Sequence, residues 1–190
     1  MDKQAKAKAE QERSELRRII NDGISFEVEV RTARRPSGIF GRFKRKQISM
    51  QKRVFKVSEP TLATLDRLSA LWLSIDIDDS QLSNDNYLAD ARRLAAQHSQ
   101  TLAEIVATAV LGEDLYDITD RRGVFAYKPN NRKLAELSTT FFHSVKPSDL
   151  FKLAILITNA CNLADFIASM RLMSATRTSE PMATRIEPQD

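Results

Sequence analysis

The chain has 190 residues, of which 42% are hydrophobic, with five glycines, six prolines and a formal net charge of +4. This length suits one domain with a single hydrophobic core, and so few turn-forming residues exclude a turn-dense β-sandwich or barrel. Residues 21–57 carry ten Lys and Arg against three Asp and Glu, a local +7, whereas residues 58–190 carry thirteen against eighteen, or −5. The sequence therefore predicts a basic N-terminal region on an acidic, mainly helical body.

The first 20 residues are rich in helix-forming Ala, Gln, Glu, Lys and Arg but have almost no apolar face, which indicates a charged, frayed helix. They contain no apolar segment typical of a signal peptide, and the single cysteine, Cys161, cannot form an internal disulfide. We therefore expect a cytoplasmic protein.

A period-two pattern follows, with four apolar residues alternating with polar ones: Ile24, Phe26, Val28 and Val30. This alternation predicts a half-buried strand. A second alternation over residues 48–57 predicts a partner strand, and its change of phase near Lys52 suggests a β-bulge. The two strands predict an antiparallel hairpin over residues 24–57 with a long basic loop.

Helical spacing begins after Ser58-Glu59-Pro60, where proline is favoured at the first helical position. The first helix has an apolar face of Leu62, Leu65, Leu68, Trp72 and Ile75. The polar residues 80–86 end it, and a shorter helix follows from Tyr87. Thr101 and Glu104 then predict a capping box that opens a separate helix over residues 102–111, and Gly112 is placed to end it.

The C-terminal part begins with residues 113–131, which predict an ordered loop or a small hairpin anchored by Val124, Phe125 and Tyr127. A helix around Leu134–Phe141 follows, and Pro147 interrupts the pattern before one final long helix. Residues 150–173 are long enough to span a bilayer, but charged residues along their length favour a buried core helix. The polar residues 174–190 predict a disordered tail.

These elements predict a mainly α fold with an N-terminal antiparallel β-hairpin (α+β), in which a small helical bundle packs on the hairpin. Residues 21–173 form a single globular domain in this prediction, with the helices over residues 60–173. Four aromatic residues in helical segments are expected in its core: Trp72, Phe141, Phe151 and Phe166.

The residues offer no constellation for catalysis. His98 and His143 are predicted at helix ends, where a cation is favourable, and apolar neighbours disfavour a reactive Cys161 thiolate. Four aspartates resemble a calcium loop at first: Asp76, Asp78, Asp79 and Asp85. An EF-hand starting at Asp76 would need Gly and Glu where Gln81 and Tyr87 stand. We therefore predict a protein that is not an enzyme, with no catalytic residue, cofactor or metal site.

The basic loop, residues 31–46, is the strongest candidate for binding. Its predicted partner-binding residues are cationic or aromatic: Arg34, Arg35, Phe40, Arg42, Phe43, Lys44, Arg45 and Lys46. Such a loop can bind an acidic protein, nucleic-acid phosphates or anionic lipid. No helix-turn-helix or RNP-type pattern accompanies it, so nucleic acid is the alternative and a protein partner is favoured.

The chain also resembles a known family. Residues 55–173 carry the resemblance, chiefly through Phe55, Pro60-Thr61-Leu62, Leu65 and Asp165-Phe166. In this layout the sequence is similar to phage tail assembly chaperones, small cytosolic helical proteins with an N-terminal strand region. The resemblance implies a non-enzymatic assembly factor of a phage or prophage that binds a tape-measure or tail-tube protein. A nucleic-acid-binding regulator that uses residues 31–46 is the alternative, and the oligomeric state stays open.

Overall fold

The computed structural model describes residues 23–34, 47–75, 87–121 and 123–175. An N-terminal hairpin comes first, formed by β1 (Ile24–Arg34) and β2 (Gln47–Val57). The elements that follow are α1 (Leu62–Leu73), α2 (Tyr87–Leu111), a 3₁₀ turn (Gly112–Leu115), β3 (Tyr116–Arg121), β4 (Val124–Pro129), α3 (Asn131–Ser144), α4 (Pro147–Ala160) and α5 (Leu163–Ala175). The predicted α+β class with helices packed on an N-terminal hairpin is confirmed. The predicted N-terminal helix, residues 76–86 and residues 176–190 lie outside the described residues.

The hairpin pairs without interruption, from Ile24 opposite Val57 to Arg34 opposite Gln47. The predicted bulge near Lys52 is therefore wrong, because Lys52 lies directly opposite Glu29. The apparent change of phase has another cause: β2 carries three exposed apolar residues, namely Ile48, Met50 and Val54. Regular alternation is required only where one face of a strand is buried, and much of β2 is solvated on both faces.

The inner face of the hairpin contributes to the core. Val28, Val30 and Val57 are buried there. Phe26 and Phe55 lie against Phe141 of α3, with ring centroids 6.2 and 4.8 Å from that ring. Such offset and edge-on aromatic contacts add about 0.5–1.5 kcal/mol each beyond the burial of area. The aromatic cluster therefore holds the hairpin on the helices.

The start of α1 is fixed by Thr61, whose side chain accepts a hydrogen bond from the backbone N–H of Thr64. Pro60 thus precedes the N-cap and does not occupy the first helical position. The buried Thr64 hydroxyl donates to the carbonyl of Gly112 at 2.9 Å. This bond joins the first turn of α1 to the residue at which α2 ends.

The helix α2 is continuous over 25 residues, so the predicted separate helix with a capping box at Thr101 and Glu104 is wrong. No glycine or proline lies between Tyr87 and Leu111, and nothing in the backbone therefore forces a break at a polar stretch. His98 consequently lies mid-helix and not at a helix end. Gly112 ends the helix as predicted, with the left-handed φ of +51° that glycine adopts at low cost.

The segment after α2 is a hairpin, the second of the two predicted alternatives, with Ile118 opposite Tyr127. Every residue of β4 is exposed. The prediction that Val124, Phe125 and Tyr127 anchor this segment in the core is therefore wrong. The hairpin is held at its open end instead, where the backbone N–H of Asn130 donates to the carbonyl of Leu115 and Lys133 of α3 forms an ion pair with Asp117.

The predicted final long helix is two helices, α4 and α5, because Asn162 takes a left-handed φ of +46° between them. Asparagine is one of the few residues that tolerate this conformation. The helix α4 buries Leu153, Ile157 and Ala160, whereas α5 buries no residue. The core prediction is thus confirmed for α4 and wrong for α5. The predicted core positions of Phe151 and Phe166 are wrong as well, since both are exposed.

Candidate protein-binding surfaces

Cys161 and His143 are the two described residues that we consider first for chemistry. Cys161 is buried at the end of α4, and burial raises the pKa of its thiol. His143 lies in the last turn of α3 as predicted, and its ring lies 5.1 Å from that of Phe142. No group of three or more His, Cys, Asp or Glu within residues 23–34, 47–75, 87–121 and 123–175 could hold a metal ion. A buried thiol with a raised pKa is a poor nucleophile.

The predicted basic loop joins the two long strands at the end opposite Ile24 and Val57. Arg34 is the last residue of β1, and the other predicted partner-binding residues lie outside the described residues: Arg35, Phe40, Arg42, Phe43, Lys44, Arg45 and Lys46. Exposed cations continue onto the strands at Arg31, Lys52 and Lys56. Lys52 forms a 3.9 Å ion pair with Glu27, so the strand cations are partly neutralised.

Within the described part of the chain, α5 carries six exposed large apolar side chains. We define the α5 surface by six side chains whose exposed fractions run from 40% at Phe166 to 67% at Leu172: Leu163, Phe166, Ile167, Met170, Leu172 and Met173. Leu163, Phe166, Met170 and Met173 follow one another at spacings of three and four residues, which places them in one seam along the helix. An α-helix of a solvated domain normally has a polar face toward water.

The position of α5 is fixed at its first turn. The side-chain amide of Asn162 donates to Glu59 at 3.2 Å and to Asp165 at 3.0 Å. The backbone N–H of Phe166 donates to the carbonyl of Asn162. Of these bonds, the one to Glu59 links α5 to another segment of the fold, before α1, and the other two are local to the start of the helix.

An apolar groove opens beside the start of α5. Leu65, Trp72 and Leu73 of α1 line one side, and Thr158, Cys161 and Leu163 line the other. Its volume is about 370 Å³. Leu163 belongs both to the groove and to the α5 surface, so the two form one continuous apolar region. A groove of this size accepts one or two large apolar side chains of a bound partner.

A second exposed apolar patch lies on the β3–β4 hairpin. Ile118, Phe125 and Tyr127 project on the same side of that hairpin, because directly opposed residues share a face and Ile118 lies opposite Tyr127. Each of these side chains is more than 60% exposed. We call these three residues the β3–β4 patch.

Both surfaces were missed at the level of sequence, because apolar residues at strand or helix spacing predict a core face. One signal pointed the other way. Residues 163–175 have apolar side chains around the whole circumference of the helix, with little separation into an apolar face and a polar face. A helix of this kind is either completely buried or binds an apolar partner.

By length and composition alone, the segment 147–175 meets the criteria for a helix that crosses a membrane, and 22% of its most apolar window is buried. The break at Asn162 divides this segment between α4 and α5.

Comparisons of the chain with protein-family models, with curated proteins and with solved structures found no significant match.

Proposed function

We propose that the protein is a non-enzymatic assembly factor that binds a partner protein through the α5 surface. The observation that carries this proposal is an entire helix of mostly apolar residues with no buried side chain. Exposed apolar area of this extent on a soluble domain marks an interaction site. The resemblance to phage tail assembly chaperones suggests a tape-measure or tail-tube protein of a phage or prophage as the partner, bound in the host cytoplasm.

The size of the α5 surface supports a protein partner. Complete burial of the six partly exposed side chains would cover roughly 600 Å² of apolar area, an upper limit of about 15 kcal/mol at roughly 25 cal/mol per Å². Leu172 lies on the side of the helix opposite Leu163, so a single partner helix covers less than this. Association costs about 4–15 kcal/mol, because the two molecules lose translational and rotational freedom. Subtracting that cost leaves about 0–11 kcal/mol, so the additional burial in the groove beside Leu163 contributes to whether a complex forms.

The chemistry of the partner follows from the seam. Side chains at spacings of three and four residues pack best against the apolar face of another helix, and the two methionines, Met170 and Met173, adapt to an irregular partner surface. The basic loop, with Arg34, Arg42, Lys44, Arg45 and Lys46, would attract an acidic partner over longer distances and so raise the rate of association.

The test is co-expression with tail proteins of the corresponding gene cluster, followed by affinity purification. The paired variant Ile167→Glu with Met170→Glu places two carboxylates on the α5 surface, and we expect it to lose the partner. The matched control, Ala168→Glu with Ala175→Glu, adds the same charge to exposed positions on the side of α5 away from the seam. We expect the control to retain the partner and both variants to unfold at the temperature of the parent protein.

Salt and nuclease separate this proposal from the nucleic-acid alternative. A complex held by apolar burial persists at high salt. The binding constant for duplex DNA instead falls as the salt concentration rises, with a log–log slope of about −0.9 per neutralised phosphate. A complex that disappears after nuclease treatment and is unaffected by the paired glutamates would contradict the proposal. That result would support a regulator that binds nucleic acid through residues 31–46.

A further inference from the structure

The outer edge of β1 is free in the described part of the fold. β1 pairs with β2 on one side, and the described backbone contains no hydrogen bond from β1 to any other element. The strand is 11 residues long and has neither a proline nor a bulge. Natural proteins usually protect such edges, because their unpaired N–H and C=O groups accept a further strand.

A groove follows this edge. Phe26, Glu27, Val28 and Glu29 line it on the side of β1, and it has a volume of about 370 Å³. Successive residues of a strand point to opposite faces, and both inward and outward residues of β1 line the groove. The groove therefore runs along the edge of the strand and not beneath its face. Across it lie three charged residues of the α3–α4 junction and of α4, Lys146, Asp149 and Lys152, together with Leu153 and Leu156.

The sequence of β1 is complementary to itself in the antiparallel direction. Glu29 and Arg31 lie on the outer face, on either side of Val30. When two β1 strands pair about a two-fold axis at Val30, Glu29 of each copy lies opposite Arg31 of the other. The outer face of β2 carries Lys52 and Lys56 and would repel a second β2.

From these observations we infer that two copies of this chain pair through the free edges of β1, so that their hairpins form one four-stranded antiparallel sheet. This inference does not rest on the proposed function. Opposite charges directly across an antiparallel pair stabilise it, and like charges destabilise it. A shift that places Glu27 opposite Arg31 also places Glu29 opposite Glu29, so the charges select the register centred on Val30.

A two-fold axis perpendicular to the sheet places both helical bodies on the same face, displaced along the strands. The core covers the inner face of β1 as far as Val30, whereas Ser49, opposite Thr32, is exposed. Residues 31–34 of each copy therefore lie opposite residues 26–29 of the other, so the paired strand occupies the groove beside α4.

The first test measures mass. Light scattering over a concentration series should give twice the 21.5 kDa of one chain. Glu29→Arg replaces two attractive pairs with two repulsive ones, and we expect it to weaken dimerisation about tenfold. Glu29→Arg combined with Arg31→Glu restores the opposite charges and should restore the dimer. The control Lys56→Glu reverses a charge on the same outer face but on β2, opposite Ser25, and should leave the dimer intact.

The second test measures the register. Opposed residues of an antiparallel pair lie about 4.5–5.5 Å apart, within the Cα separation of roughly 4.4–6.8 Å that a disulfide spans. Val30→Cys should therefore form a disulfide between the copies under mild oxidation. The matched control Val28→Cys is also buried on β1, but its copies would lie roughly 13 Å apart at about 3.3 Å per residue, so it should not cross-link.

The outcomes separate this inference from the proposed function. A chain that stays monomeric at every concentration and does not cross-link through Val30→Cys overturns the inference and leaves partner binding by α5 untouched. A dimer that survives Glu29→Arg but dissociates in the Ile167→Glu and Met170→Glu variant also overturns it, because that dimer would form through the α5 surface.

Discussion

Replacing Thr108 with valine should stabilise the protein. The Thr108 side chain is completely buried in α2, and its hydroxyl oxygen has no hydrogen-bond partner among the described residues. A buried hydroxyl without a hydrogen-bond partner lowers the free energy of unfolding by about 1–3 kcal/mol relative to a hydroxyl that is paired or absent. Valine has nearly the same shape and a similar helix propensity, so Thr108→Val removes this cost without a new cavity.

The expected gain is about 1–2 kcal/mol in the free energy of unfolding, which raises Tm by roughly 2–8 °C at about 2–4 °C per kcal/mol for a domain of this size. The assay is urea unfolding followed by far-UV circular dichroism, with thermal unfolding as a second measurement. The slope of free energy against urea should not change, because the surface exposed on unfolding is the same.

The same substitution at Thr64 is the matched control. Thr64 is equally buried, but its hydroxyl donates to the Gly112 carbonyl at 2.9 Å. Thr64→Val leaves that carbonyl without this donor, and we expect it to destabilise the protein by about 1–2 kcal/mol. The structure requires that Thr108→Val raises the free energy of unfolding and that Thr64→Val lowers it. A loss of stability in Thr108→Val would refute the reasoning, since the hydroxyl would then have a partner.

Two further predictions concern backbone and pH. Gly23→Ala should destabilise more than Gly123→Ala, because both glycines have positive φ but only the first would bring a Cβ to 2.7 Å from the Val57 carbonyl oxygen; equal shifts in the urea midpoint would contradict this. Burial raises the pKa of Cys161 above its ordinary value of 9.0, so the stability it contributes is complete below pH 9 and declines as pH rises through the folded-state pKa. The free energy of unfolding, measured from pH 7 to about 10.5, should therefore fall less steeply in Cys161→Ala than in the parent, and parallel curves would show that the thiol pKa is not raised.

Much of the fold could be predicted because the patterns were local. The alternation of Ile24, Phe26, Val28 and Val30 predicted β1, and Gly112 predicted the end of α2, since each depends on the intrinsic geometry of a few residues. The errors occurred where a local signal has two meanings. Thr101 and Glu104 match a capping box, but nothing in the backbone interrupts α2 there.

The candidate site was predicted less well than the fold. The charge pattern predicted partner binding in residues 31–46, most of which lie outside the described residues, and the apolar pattern of residues 163–173 predicted a core helix. A stripe of apolar residues has the same pattern whether a neighbouring element covers it or a partner does. Only the position of the other helices distinguishes the two, and that position depends on contacts between distant parts of the chain.

The sequence by itself determined the class of fold, the N-terminal hairpin and the concentration of positive charge around it, because periodicity and composition are properties of neighbouring residues. The tertiary structure decided which apolar residues are covered. It turned the chain at Asn162 and so removed α5 from the core, and it left the edge of β1 beside a groove. Burial is a property of the packed chain, and no local pattern specifies it.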